Sequence, residues 1–74
     1  MVLEKLTTII AEITGVHREE ISIETTFMDD LGIDSLDVYQ IIMGIEQEFG
    51  IEITHSQAET IRTVADALNL IKET

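Results

Sequence analysis

Apolar residues recur at three- and four-residue steps along most of this chain, and no proline interrupts them. In residues 2–14, VLEKLTTIIAEIT, Leu3, Leu6, Ile10 and Ile13 fall at that spacing, with Ile9 beside them. Side chains three and four apart share one face of a helix, so the spacing predicts a helix over 2–14. Gly15 is a natural stop, because glycine takes the left-handed conformation after a helix end. A second helix is predicted over 35–49, ending at Gly50. A short third fits 56–60, where Ser56 and Glu59 have capping-box spacing. A fourth fits 63–72: Thr63 and Asp66 repeat the box, and Val64, Ala67, Leu68 and Ile71 mark its buried face. Alternation is confined to Ile51-Glu52-Ile53, too short and isolated to predict a strand. The connection 16–33 is long for a compact domain, and such loops are often functional. Val16, Ile21, Ile23, Phe27 and Leu31 are expected to pin it to the core. The predicted fold is all-α: a small antiparallel four-helix bundle, three longer helices plus one short, with a long loop between helices 1 and 2.

With 74 residues, one domain spanning 1–74 is expected. A core of that size rarely supplies more than about 3–5 kcal/mol of net stability. There is no cysteine, so no disulfide or thiolate zinc site can staple it. No apolar run approaches the roughly 20 residues of a membrane span, and MVLEKLTT lacks the apolar core of a signal peptide. Cytoplasmic residence is the default expectation, with an organelle origin as the other option. Fifteen acidic residues against four basic ones give a net charge of −11. Such a chain repels itself and stays soluble. Nucleic acid and anionic membrane are poor partners, because phosphate binding needs Lys and Arg. A monomer that meets basic patches on other proteins is expected.

Helix 35–49 has two apolar faces. At about 100° per residue, Val38, Ile41, Ile42, Ile45 and Phe49 fall within one arc, an ordinary core stripe. Leu36, Tyr39 and Met43 fall opposite, near Gln40 and Gln47, with Asp37, Glu46 and Glu48 flanking them. This second stripe either packs under another element or docks on a basic partner. Ser35, in DDLGIDSLDVYQ, raises a similar choice. Serine is a favoured N-cap, but Asp34 is an equally good one. If Asp34 caps, the Ser35 hydroxyl is spare. A phosphate attached there would meet the free N–H groups and the positive end of the helix dipole.

The run Asp30-Leu31-Gly32-Ile33-Asp34-Ser35-Leu36-Asp37 resembles the DLGxDSLD signature of acyl carrier proteins. Chain length, helix order and acidity are also similar. So are the segments Ile45-Glu46-Gln47-Glu48-Phe49, Ile51-Glu52-Ile53 and Ile61-Arg62-Thr63-Val64, and the resemblance covers essentially the whole chain. It implies a carrier rather than an enzyme. Ser35 would bear 4′-phosphopantetheine, derived from coenzyme A, whose thiol holds acyl groups as thioesters. It implies docking through Asp34, Leu36, Asp37, Tyr39, Gln40, Met43, Glu46 and Glu48. The implied partners are a phosphopantetheinyl transferase (holo-acyl-carrier-protein synthase), acyl transferases, ketoacyl synthases, reductases and dehydratases with basic docking patches. Positions matching the family's acyl pocket are Phe27, Val38, Ile42, Ile45, Ile53, Ala58, Ile61 and Leu68, all of which also suit plain core packing.

Tyr39, Gln40, Gly44 and Thr54-His55 depart from the common pattern. Gly44 stands in mid-helix, at a propensity cost of about 1 kcal/mol relative to alanine. His17 and His55 are expected at the surface in turn regions. No metal site is expected: the histidines have no ligand spacing, and Asp29, Asp30, Asp34 and Asp37 lack the EF-hand pattern. Service in fatty-acid synthesis is the leading expectation. A dedicated carrier for a polyketide or specialised lipid pathway, and an unmodified acidic interaction domain, are the rivals.

Overall fold

The computed structural model describes residues 2–73. Four α-helices follow in order: α1 (Val2–Thr14), α2 (Ser35–Phe49), α3 (His55–Glu59) and α4 (Val64–Glu73), with a single 3-10 turn at Arg18–Glu20 inside the first connection. The ends of α1 and α2 fall where the apolar periodicity stops. At Gly50 the backbone turns left-handed (φ 63°), and its N–H returns to the Glu46 carbonyl. A side chain would be strained in that conformation, so glycine ends the helix there.

The core forms where the apolar stripes meet. Leu6 and Ile10 of α1, Ile41, Ile42 and Ile45 of α2, and Val64, Ala67 and Ile71 of α4 are all buried. Ala58 and Ile61 close one end, and Ile21 and Phe27 enter from the long connection. Gly44 has a packing reason. A Cβ there would lie 2.9 Å from Ile9 Cγ2, so glycine lets α1 approach α2 closely.

The long connection is not loose. Phe27 N–H donates to the Arg62 carbonyl (3.0 Å), Val64 N–H to Thr25 O (3.0 Å) and Ala65 N–H to Ile23 O (2.9 Å). Thr26 and Thr63 thus form an isolated antiparallel bridge. Phe27 and Ile21 pin the loop as expected, and Val16 and Leu31 are half-buried against the core. Ile23 does not: its side chain is 46 % exposed. It is anchored through its backbone carbonyl instead, which leaves the side chain free to point outward.

The third helix begins one residue earlier than its spacing predicts. Thr54, not Ser56, is the N-cap. Thr54 Oγ1 accepts from Gln57 N–H (3.1 Å), and Gln57 Oε1 accepts from Thr54 N–H (2.9 Å). Ser56 and Glu59 have the same spacing, but both lie inside the helix. At α4 the predicted box is present. Thr63 Oγ1 accepts from Asp66 N–H (3.2 Å), while Asp66 Oδ2 accepts from the N–H groups of Thr63 (3.1 Å) and Arg62 (3.0 Å). Thr63 is accordingly the cap, and the helix starts at Val64.

Candidate functional site

The site is built around the start of α2. Asp34 has extended backbone, and its carboxylate accepts the Asp37 N–H at 3.1 Å. That makes Asp34 the cap and puts Ser35 at the first helical position. Ser35 is exposed, and its hydroxyl makes no hydrogen bond to another described residue. The first amides of a helix have no intrahelical acceptor, so N–H groups and the dipole's positive end lie beside that hydroxyl.

Below Ser35 a cavity of about 470 Å³ opens between α2, α3 and the long connection. Ser35, Val38, Tyr39 and Ile42 line it from α2; Ala58 and Glu59 line it from α3, with Ile61 and Arg62 just beyond. Thr26, Phe27, Met28 and Asp29 supply the remaining wall. The volume is within the range of small-molecule sites. Of the positions matched to an acyl pocket, Phe27, Val38, Ile42, Ala58 and Ile61 stand on this wall. Ile45, Ile53 and Leu68 do not. Ile45 is fully buried in the core, and Ile53 and Leu68 are half-buried against it. Met28, Asp29, Glu59 and Arg62 also line the cavity, and helical periodicity carried no signal for them. Met28 and Asp29 sit in a loop, and Glu59 and Arg62 read as solvated charges.

The second stripe of α2 is at the surface. Leu36 is 66 % exposed, Met43 54 % and Tyr39 41 %, and Gln40 is exposed between them. Asp34 and Asp37 border it at the helix start. The other two acids of the expected rim are engaged elsewhere. Glu46 is half-buried, and its Oε2 accepts the Ile53 N–H at 2.9 Å, tying down the connection after α2. Glu48 lies on the α1 side, 3.9 Å from Lys5 Nζ, an exposed pair of little energetic weight. Asp30 is also engaged: its Oδ2 accepts the Thr26 N–H at 2.9 Å. Among the described residues no group of three or more His, Asp or Glu side chains could hold a metal ion. No described helix is long and apolar enough to cross a membrane.

Both histidines are exposed, His17 before the 3-10 turn and His55 at the start of α3. His55 is not solitary. Its ring stacks on Tyr39 with centroids 6.3 Å apart and planes within 8°. Its Nδ1 lies 3.2 Å from the Tyr39 hydroxyl and its Nε2 2.9 Å from Glu59 Oε1.

An unengaged hydroxyl thus stands at the start of α2, on the lip of a largely apolar cavity. Residues 4–71 match the family described as phosphopantetheine attachment site. The acyl carrier protein of Clostridium acetobutylicum is 47% identical over 72 residues, which are 97% of this chain and 94% of that one. The solved structure of a candidate acyl carrier protein from Mycobacterium tuberculosis superposes with a TM-score of 0.92 at 33% identity, covering 99% of this chain and 97% of that chain. The chain belongs to the acyl carrier protein family, and its prosthetic group is 4′-phosphopantetheine.

Proposed function

We propose that Ser35 is the attachment point and that residues 1–74 form one carrier domain, without catalytic activity of its own. The observation that carries this reading is the free Ser35 hydroxyl at the first position of a 15-residue helix, on the lip of the cavity. The residues present suit a phosphodiester: the uncapped amides of the helix start favour an anion, and Asp34 already caps without using the serine. When bound, the group supplies a thiol on which acyl chains are held as thioesters.

The protein's own residues then bind and present. Phe27, Val38, Ile42, Ala58 and Ile61 offer an apolar wall to the chain. Leu36, Met43 and Tyr39, with Gln40 and the acids Asp34 and Asp37, form the docking face for enzymes with basic patches. The partners in this reading are those of fatty-acid synthesis: a phosphopantetheinyl transferase, acyl transferases, ketoacyl synthases, reductases and dehydratases. The compartment is the cytoplasm. In this reading Glu46, held by the Ile53 amide, and Glu48, on the α1 side, have smaller roles in docking than Asp34 and Asp37.

Incubation with coenzyme A and a phosphopantetheinyl transferase, followed by digestion and mass spectrometry, tests the attachment. One phosphopantetheine on the peptide containing Ser35 is expected, and none on Ser35→Ala. Modification at another residue, or of Ser35→Ala, rejects it.

A further inference from the structure

Helix α3 is the weakest element around the cavity. It has five residues, of which only Ala58 is buried, and so short a helix has little stability of its own. Yet it forms a wall of the cavity, through Ala58 and Glu59. Ala58 seats it on the core, and among the described residues one side-chain hydrogen bond, Tyr39 to His55, links it to α2. Tyr39 on α2 and Glu59 on α3 both line the cavity, and His55 joins them from outside.

The chemistry of that link is self-consistent. A carboxylate only accepts, so the Glu59 contact at 2.9 Å puts a proton on His55 Nε2. In the neutral ring Nδ1 is then the acceptor, and the Tyr39 hydroxyl donates to it across 3.2 Å. The two rings are stacked within the range where aromatic pairs attract.

We propose that Tyr39, His55 and Glu59 form a clasp between α2 and α3 that preorganises the cavity wall, so that a saturated acyl chain held there stays sheltered from water. Tyr39 and His55 are thereby positioning residues for the chain. The inference rests on the acyl-carrier reading of the cavity. Every group of the clasp is exposed, so its effect is modest, a few-fold rather than orders of magnitude.

The test uses the holo-protein loaded with an acetyl or an octanoyl group, with hydroxylamine as the thioester-cleaving nucleophile. A small nucleophile needs no docking face, so loss of Tyr39 as a partner contact does not confuse the result. In the wild-type protein the octanoyl thioester is expected to be cleaved more slowly than the acetyl. His55→Ala should speed octanoyl cleavage about two- to five-fold and leave acetyl cleavage unchanged, and Tyr39→Phe should speed octanoyl cleavage by a similar factor. In the unloaded protein, Tyr39→Phe should also speed amide exchange in α3 and shift the His55 Nδ1 resonance. Octanoyl protection that persists in both variants overturns the clasp alone. Equal cleavage of both chains in the wild type overturns the cavity reading and the clasp with it.

Discussion

Two residues show how a local rule is overruled or reinforced by a neighbour. Helix propensity argues against Gly44, yet alanine there would drive a Cβ to 2.9 Å from Ile9 Cγ2. That methyl sits on a branched Cβ and cannot swing aside as a flexible chain end could. Gly44→Ala should gain about 1 kcal/mol of propensity and lose about 1–3 kcal/mol to overpacking, a net loss of up to about 2 kcal/mol. In an Ile9→Ala background the same change should turn stabilising. Urea melts of the four proteins decide it, and an equal loss in both backgrounds would refute the contact as cause. At Asp66 the rule and the neighbours agree. Hydrogen bonds from the Arg62 backbone, then from Thr63, hold its carboxyl below the usual carboxylate range. The folded state thus binds that proton more weakly than the unfolded state. The resulting stability is present above the unfolded pKa, about 3.9, and is lost as pH falls through the lower folded value. Asp66→Asn should be less stable than wild type near neutral pH, with the gap closing as pH drops below about 4. A gap that stays constant with pH would remove the charge from the explanation.

At the scale of elements, α2 carries two apolar faces, one buried and one exposed. Ile45 is fully buried and Leu36 is 66 % exposed on the same helix. Ile45→Ala should cost roughly 2–5 kcal/mol, most of what a domain of this size possesses. Leu36→Ala should shift stability by less than about 0.5 kcal/mol but slow phosphopantetheinyl transfer, because an apolar anchor is missing from the docking face. Thermal melts and transfer kinetics on both variants are the check. Comparable melting would mean the face is structural, and wild-type kinetics for Leu36→Ala would mean it does not dock that enzyme. α3 illustrates a different limit. Thr54…Gln57 and Ser56…Glu59 satisfy the same spacing rule, so the sequence could not rank them. Long-range contacts favour the earlier start: Glu46 grips the Ile53 N–H, and Tyr39 meets His55.

Across the whole molecule, charge acts in two opposite directions. With a net charge of −11, self-repulsion opposes the compact state, and in the proposed docking the same field would draw basic partners. The Debye length near 0.1 M salt is about 10 Å, so added salt weakens both. Raising salt should therefore raise the melting temperature and slow phosphopantetheinyl transfer. A transfer rate flat from low to high salt would count against electrostatic docking, and a falling melting temperature would count against self-repulsion.

Periodicity, caps and glycines specified the helices of this protein, because those signals are local: α1 and α2 begin and end where the apolar spacing, Asp34 and Gly50 place them. Around Ser35 the sequence left a choice, since Asp34 and Ser35 are equally good caps; the structure puts Asp34 in the cap and leaves the Ser35 hydroxyl unengaged. Only the tertiary structure decided what lies between the elements. The cavity wall takes Met28 and Asp29 from a loop and Glu59 and Arg62 from polar positions, which no period marks. The close α1–α2 contact at Gly44, the turning of Glu46 toward the Ile53 amide and the meeting of Tyr39 with His55 are pairings across 7 to 35 residues of chain. Such contacts depend on how whole helices are set against one another, and side-chain spacing within a single helix carries no information about that.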